Sequence, residues 1–187
     1  AWIETRTEKE MVLYNQLVDI TSTIIDQAFS AAVITPGKTT TDDIVWWLRE
    51  KVTSLGLETW FHPTIDIQRN NEALQSHIYS FTKGEKQKTV LPGDLLHCDF
   101  GITYISLNTD CQRHAYVLRK EETRVPEFLA TAFAKGNQVQ DIFTGNFKTG
   151  RTGNQILAMS LKKARDKGLI PSIYTHPLGT YGHSSGT

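Results

Sequence analysis

Two aspartates in a strand-rich part of the chain are the residues best suited to chemistry. Asp99 interrupts an otherwise apolar stretch, and Asp110 follows eleven residues later. In a hairpin centred on Tyr104 and Ile105 the two aspartates oppose each other, with Cβ atoms roughly 4.5–5.5 Å apart. Because like charges repel and burial adds a desolvation cost, such a pair needs an offset. We expect either a shared proton or a divalent cation: Mg, Mn or Co, with Zn also suitable.

A surface position for one aspartate, in a turn or a helix cap, is the competing interpretation of this spacing. The centre of the hairpin favours that interpretation, because Tyr104 and Ile105 are not the Gly or Asn that tight hairpins prefer. A longer loop or a bulge would also shift the register and separate the two carboxylates.

Three neighbours of the aspartates are placed by the same hairpin. Cys98 and Cys111 become neighbours on the opposite face, where we favour two packed thiols, although a disulfide is geometrically conceivable. His97 shares the Asp99 face by strand alternation. We favour a packed core histidine there over a group that supports a metal ligand.

Histidines near the C-terminus supply further candidate ligands. Glycines at positions 182 and 186 surround His183, so the backbone there can approach a ligand closely, and a neutral imidazole binds metals well. His176 lies in the same segment. The alternative is a surface histidine in a tail. His77 precedes the first aspartate strand and is unremarkable by itself, and His62 beside a proline is expected to be structural.

Hydrophobic periodicity places these residues in a mixed α and β chain. The spacing predicts a helix from Glu8 to about Ser30, and a second helix after Thr40, with Asp43 as an acidic partner in its first turn. Residues 57 to 120 are predicted to be rich in strands. Pro126 begins a third helix, and a capping box at 152–155 opens a fourth.

A repeat links the two ends of the chain. Residues 34–57 match residues 147–170 at an offset of 113, and both copies read as a turn, a threonine, an amphipathic helix and a glycine. Any two capped helices look somewhat alike, so the alternative to a duplicated half-domain stays open. The matched pairs are Gly37 with Gly150, Thr39 with Thr152, Ile44 with Leu157, and Leu48 with Leu161.

Together these segments resemble the pita-bread metallopeptidases, the superfamily of creatinase, methionine aminopeptidase and Xaa-Pro aminopeptidase. The likeness rests on the Pro-Gly-Asp turn at 92–94, on Asp99 and Asp110, on the two matching helical segments, and on the Gly-His-Ser-Ser-Gly segment at 182–186. The Xaa-Pro branch is most similar. The resemblance implies an α+β fold: a curved, mainly antiparallel sheet with helices outside, in two pseudo-symmetric halves. Residues 1–187 would be one incomplete catalytic-type domain, with half-repeats at about 8–90 and 120–187.

The resemblance also implies roles for single residues. Asp99, Asp110 and His183 would bind two divalent metal ions, Mn, Co or Zn, with Asp110 as the bridge. His77 would contact substrate near the scissile bond, and His176 would line the pocket or support a ligand. The implied activity is hydrolysis of the N-terminal bond of a peptide, before proline in the Xaa-Pro branch, by hydroxide activated between two metals. A peptide substrate and a homodimer are the implied partners.

Departures from the family pattern leave other functions open. Gly179 stands where the family usually has a histidine, four residues before the ligand. The family also needs two glutamates after His183, and none follows in these 187 residues, so we expect the chain as it stands to be inactive. The alternatives are an inactive peptide-binding homologue and a metal-free, creatinase-like amidinohydrolase.

Composition argues against two other classes of function. Lys and Arg number 20, as do Asp and Glu, so no basic excess favours nucleic acid as a partner. No apolar run approaches the ~18 residues that a membrane-spanning helix needs, so we expect no membrane segment. Hydrophobic residues make up 39% of the chain, which suffices for a packed core.

Overall fold

A computed structural model describes residues 6–69 and 88–173 of the chain. The chain divides into two compact units, residues 1–123 and 124–187. The helices of both units and the antiparallel strands of the first unit confirm the predicted α+β class. No helix within the described ranges is both long and apolar enough to cross a membrane.

The first unit holds α1 (Glu8–Ala28), α2 (Thr41–Ser54), β1 (Thr64–Arg69), β2 (Asp94–Phe100), β3 (Thr103–Tyr104), β4 (Leu107–Asn108) and β5 (Cys111–Tyr116). The second holds α3 (Glu127–Thr144) and α4 (Gly153–Asp166).

Both helices of the first unit begin at a capping box. The Thr7 side chain accepts from the Glu10 backbone N–H while the Glu10 carboxylate accepts from that of Thr7. Thr40 and Asp43 form the same reciprocal pair at the start of α2, so the predicted cap is confirmed. These exchanges satisfy backbone donors that a helix N-terminus otherwise leaves unpaired. The first helix ends at Ala28, two residues before the predicted end.

A three-stranded antiparallel sheet in the order β1-β2-β5 lies against these helices. Side chains of β2 alternate between fully buried and half-buried positions, as expected when one face of a sheet meets the core. The helix α1 contacts β2 and β5, and α2 contacts β1. The core of the unit is therefore the layer between helices and sheet: Leu17, Ile24, Ile25, Ala28, Ile34, Ile44, Val45, Leu48, Val52, Ile65, Val90, Leu96, Cys98, Phe100, Ile102 and Leu107.

The hairpin that carries the aspartates turns one residue later than predicted. Strands β3 and β4 pair Tyr104 with Leu107, so the turn residues are Ile105 and Ser106. Both have positive φ, 48° and 61°, as a type I′ hairpin turn requires. Neither residue is the Gly, Asn or Asp that normally supplies such dihedrals, so residue type gave no sign that the hairpin turns here.

The second unit is a pair of packed helices. The predicted capping box at the start of α4 is confirmed, because Thr152 and Gln155 exchange side-chain and backbone hydrogen bonds. Between the helices, the Asn146 amide donates to Ser160 Oγ at 3.0 Å. The buried side chains of this unit among the described residues are few: Ile142, Asn146, Ile156, Ser160 and Ala164.

The matched segments of the two units share local geometry, with a one-residue correction to their alignment. Gly37 and Gly150 both have positive φ, in agreement with the offset of 113. The helix caps, however, are Thr40 and Thr152, which differ by 112 because the first unit has one more residue between glycine and cap. At the corrected offset the buried stripes coincide: Ile44, Leu48 and Val52 match Ile156, Ser160 and Ala164. Duplication of a half-domain stays a prediction.

Candidate functional site

The two aspartates stand at one end of the three-stranded sheet. Asp99 is half-buried on β2, where it opposes Thr64 of β1 and Gln112 of β5. Asp110 is exposed and directly precedes β5. The predicted direct opposition of the two aspartates is therefore wrong, since the later turn moves the register so that Gln112 takes the place expected for Asp110.

The shifted register still places both aspartates beside the Phe100–Cys111 pair of the ladder. Burial, above all, raises the pKa of the Cys111 thiol, and the charges of Asp110 and Asp99 both raise it further. In a regular antiparallel pair, a residue two positions from the directly opposed one is a diagonal neighbour, roughly 7–8 Å away. By this register Asp110 is a diagonal rather than a direct neighbour of Asp99, and both aspartates stay at the same end of the sheet.

The donor chemistry of this pair fits divalent cations. Carboxylate oxygens suit Mn²⁺ and similar ions, and Zn²⁺ also accepts them. Within the described ranges no group of three or more His, Cys, Asp or Glu side chains is placed to hold a metal ion. The described part of the chain thus contains two candidate ligands, Asp99 and Asp110. His77, His176 and His183 lie outside the described residues, so their predicted roles stay predictions.

Polar side chains share the face of the sheet on which Asp99 lies, because Gln112 opposes Asp99 and His114 opposes His97. His97 Nε2 lies 3.0 Å from Gln112 Oε1, and since a carbonyl oxygen only accepts, Nε2 carries the proton. The centroid of the His97 ring lies 5.0 Å from that of the His114 ring, and the two ring planes are tilted by 43°. Burial, followed by the neighbouring His97, lowers the pKa of His114. His97 therefore shares the Asp99 face as predicted, but a place in the core is wrong.

The two residues before Asp110 are held by hydrogen bonds from distant side chains. Tyr14 Oη donates to the Asn108 carbonyl at 2.8 Å, and Trp60 Nε1 donates to the Thr109 carbonyl at 2.8 Å. The Thr109 hydroxyl lies 2.8 Å from that of Thr21. Sequence reasoning missed these residues because their partners lie 94, 49 and 88 positions away in the chain, where no spacing rule applies.

Both cysteines are free thiols, so the favoured interpretation of packed thiols is confirmed. Cys98 is fully buried on the core face of the sheet, and burial, followed by the charges of Asp99 and Cys111, raises its pKa to about 12. The two cysteines are not directly opposed, as Cys98 pairs with Arg113 and Cys111 with Phe100. The same register shift that separates the aspartates separates the thiols.

The Pro-Gly-Asp turn has a structural role. Asp94 is completely buried, and its two carboxylate oxygens accept from Arg69 Nε and Nη2 at 2.7 and 2.8 Å. The backbone N–H of Leu91 also donates to it at 2.7 Å. This bidentate pair joins the end of β1 to the start of β2 and so holds the strand that carries Asp99.

Comparison with known proteins connects this arrangement to a family. The model of metallopeptidase family M24 matches residues 13–187. No functionally curated protein sequence matches the chain.

Similar solved structures extend this connection. An X-Pro aminopeptidase from Thermotoga maritima has a TM-score of 0.66 and 20% identity, over 87% of this chain and 42% of that one. A prolidase from Thermococcus sibiricus has a TM-score of 0.64 and 14% identity, over 88% and 41%. A prolidase from Pyrococcus furiosus has a TM-score of 0.58 and 21% identity, over 87% and 44%. At these identities the likeness is one of fold, and the chain spans less than half the length of each structure.

Proposed function

Because the chain belongs to metallopeptidase family M24, we propose that it forms part of an aminopeptidase in which Asp99 and Asp110 are metal ligands. The observation that carries the proposal is the position of the two carboxylates. They lie at one end of the sheet, since Asp99 directly precedes the ladder partner of Cys111 and Asp110 directly precedes Cys111 itself, in a stretch that the family model covers.

Each side of the sheet has a distinct task in this proposal. The core face, with Leu96, Cys98 and Phe100 fully buried, packs against helices and fixes the strand. The other face presents Asp99 beside Gln112 and His97, whose mutual hydrogen bond keeps polar groups ordered around the carboxylate. Metal ligands need such supporting partners, because an unsupported side chain samples many orientations.

In this proposal Asp99, Asp110 and His183 would hold two ions of Mn, Co or Zn. Such a pair of ions supplies polarisation of the scissile carbonyl and a lowered pKa for water. The protein itself would bind and orient the peptide: His77 would contact it near the scissile bond, and His176 would line the pocket. The Cys98 thiol is fully buried on the opposite, core face of the sheet, so it does not compete for metal.

For the substrate we propose peptides with proline in the second position, cleaved at the N-terminal bond. Support comes from the solved structures of similar fold, which are an X-Pro aminopeptidase and two prolidases. Because the chain spans less than half of each, the activity is proposed for the full-length gene product.

The first test compares the full-length protein with its Asp110→Asn variant. We expect the unaltered protein to retain about two Mn²⁺ per chain after desalting, as a dinuclear site requires, and to hydrolyse Xaa-Pro peptides. The variant should lose both properties while its thermal unfolding stays cooperative. Asp26→Asn is the matched control, because Asp26 is an exposed carboxylate on α1 that is not a proposed ligand.

Two results would count against the proposal in different ways. Hydrolysis retained by Asp110→Asn would remove Asp110 from the mechanism. Bound metal in the unaltered protein without hydrolysis of any Xaa-Pro peptide would instead favour an inactive peptide-binding homologue.

A further inference from the structure

The backbone just before Asp110 departs from a regular ladder. Ile102 and Thr109 occupy a position at which an antiparallel pair exchanges two backbone hydrogen bonds. One of them is present, from Thr109 N–H to the Ile102 carbonyl at 2.9 Å. The other is replaced, since Ile102 N–H donates to the Thr109 hydroxyl at 3.0 Å. The Thr109 carbonyl is thereby released from the ladder.

The released carbonyl is held by an indole. Trp60 Nε1 donates to the Thr109 carbonyl at 2.8 Å. This approach needs a glycine at position 101, because a Cβ atom there would lie 2.0 Å from the Thr109 oxygen and 2.7 Å from Trp60 Nε1. The close fit of Gly101, Thr109 and Trp60 fixes where this carbonyl can point.

A chain of hydroxyls fixes the other side of Thr109. Thr21 Oγ1 donates to the Leu17 carbonyl at 2.7 Å and lies 2.8 Å from Thr109 Oγ1. A hydroxyl has one proton to donate, so the Thr109 hydroxyl donates to Thr21 and accepts from Ile102 N–H. Both threonines are fully buried. Thr109 is therefore anchored to α1 by its side chain and to Trp60 by its carbonyl.

Asp110 is the next residue, so the orientation of Thr109 determines where the backbone of Asp110 lies. A peptide unit is planar, so the direction of the Thr109 carbonyl also sets the positions of the Asp110 nitrogen and Cα. Resting on the function proposed above, we propose that Trp60 is a positioning residue for the metal site. Its indole N–H holds the Thr109–Asp110 peptide in the orientation that directs the Asp110 carboxylate to metal.

The test measures Mn²⁺ affinity of the full-length protein by calorimetry, together with thermal unfolding of the metal-free form. Trp60→Phe keeps an aromatic ring and removes the N–H donor. We expect its Mn²⁺ affinity to fall about 10- to 100-fold, the loss typical when a group that orients a metal ligand is removed. Trp46→Phe is the matched control, because Trp46 is an exposed indole on α2 and should leave the affinity unchanged.

A second pair of variants covers the case in which Trp60→Phe does not fold. Thr109→Val preserves shape but removes the hydroxyl that takes the place of the carbonyl, so Ile102 N–H would compete again for the Thr109 carbonyl. Thr109→Ser keeps the hydroxyl. We expect weakened Mn²⁺ binding in the valine variant and near-normal binding in the serine variant at temperatures where both are folded.

The outcomes separate this inference from the function on which it rests. If Asp110→Asn loses Mn²⁺ while Trp60→Phe and Thr109→Val, both folded, bind it normally, the positioning role is wrong and the metal site stands. If Asp110→Asn binds Mn²⁺ like the unaltered protein, the proposed metal site is wrong and the positioning role fails with it. Weakened binding in Trp60→Phe alongside normal binding in Trp46→Phe supports the inference.

Discussion

At the scale of the residue, the stability of the first unit depends on the buried carboxylate of Asp94. The Asp94 carboxylate is 0% exposed, whereas the Arg69 side chain that pairs with it is 39% exposed. Removing one partner of a buried ion pair leaves the other charge uncompensated, which typically costs 3–5 kcal/mol. The partial exposure of Arg69 lets water replace some of the lost interaction. The backbone N–H of Leu91, which also donates to Asp94, loses its partner as well.

We therefore predict that Asp94→Ala lowers the free energy of unfolding by about 3 kcal/mol, the low end of the range for a broken buried pair. Urea unfolding followed by circular dichroism gives this value. Asp26→Ala is the control, since an exposed carboxylate on α1 should change stability by no more than about 0.5 kcal/mol. A loss below about 1 kcal/mol for Asp94→Ala would show that the pair does not hold the two strand ends together.

Whether the role of a residue could be predicted depends on how far along the sequence its hydrogen-bond partner lies. Thr40 with Asp43, and Thr152 with Gln155, bond within three residues, so a local pattern was enough. Trp60 and Thr109 bond across 49 residues. Nothing in the local sequence marks this tryptophan as a donor to the backbone beside Asp110.

At the scale of the element, the strand register shows the same limit. Alternation predicted correctly that His97 and Asp99 share a face, because alternation is a property of one strand. Which residue opposes Asp99 depends on where the chain turns. Ile105 and Ser106 adopt the left-handed dihedrals of a type I′ turn, and residue type gave no sign of it. The shared face of His97 and Asp99 could therefore be predicted, while Gln112, the cross-strand partner of Asp99, could not.

This turn carries a strain that can be removed. A β-branched residue at positive φ costs roughly 1–2 kcal/mol, and Ile105 is 69% exposed, so little burial offsets the cost. We predict that the double substitution Ile105→Asn with Ser106→Gly raises the free energy of unfolding by about 1 kcal/mol, because both residues suit a type I′ turn. The thermal unfolding midpoint should rise accordingly.

Mn²⁺ affinity and a second variant with a shifted turn are the controls for this double substitution. Since Asn-Gly favours the turn already present, Mn²⁺ affinity should equal that of the unaltered protein. Moving the turn by one residue, with Tyr104→Asn and Ile105→Gly, should instead destabilise the hairpin. A double Ile105–Ser106 variant less stable than the unaltered protein would mean that the turn is not of type I′ in solution.

At the scale of the whole molecule, the apolar core is unevenly distributed. Among the described residues, the first unit buries a continuous layer of aliphatic and aromatic side chains from Leu17 to Leu107, whereas the second buries three hydrophobic residues, Ile142, Ile156 and Ala164. In the second unit Phe128, Phe133 and Phe147 are more than half exposed. The fold class and the family followed from sequence, but this imbalance did not, because a helical stripe shows which residues can be buried and not whether a partner covers them.

Conformational entropy makes the imbalance testable. Ordering a residue costs roughly 1–2 kcal/mol of backbone entropy, and a helix pair offsets this only by burying apolar area at about 25 cal/mol per Å². The three hydrophobic residues buried in the described part of the second unit cannot offset the ordering of two helices, whereas the core of the first unit belongs to a sheet covered by two helices. We predict that residues 1–123 expressed alone unfold cooperatively on heating, and that residues 124–187 alone show no cooperative transition. A fragment of residues 124–187 that melts cooperatively as a monomer would show that local helix propensity and the α3–α4 contact suffice, and that its exposed phenylalanines need no cover for folding.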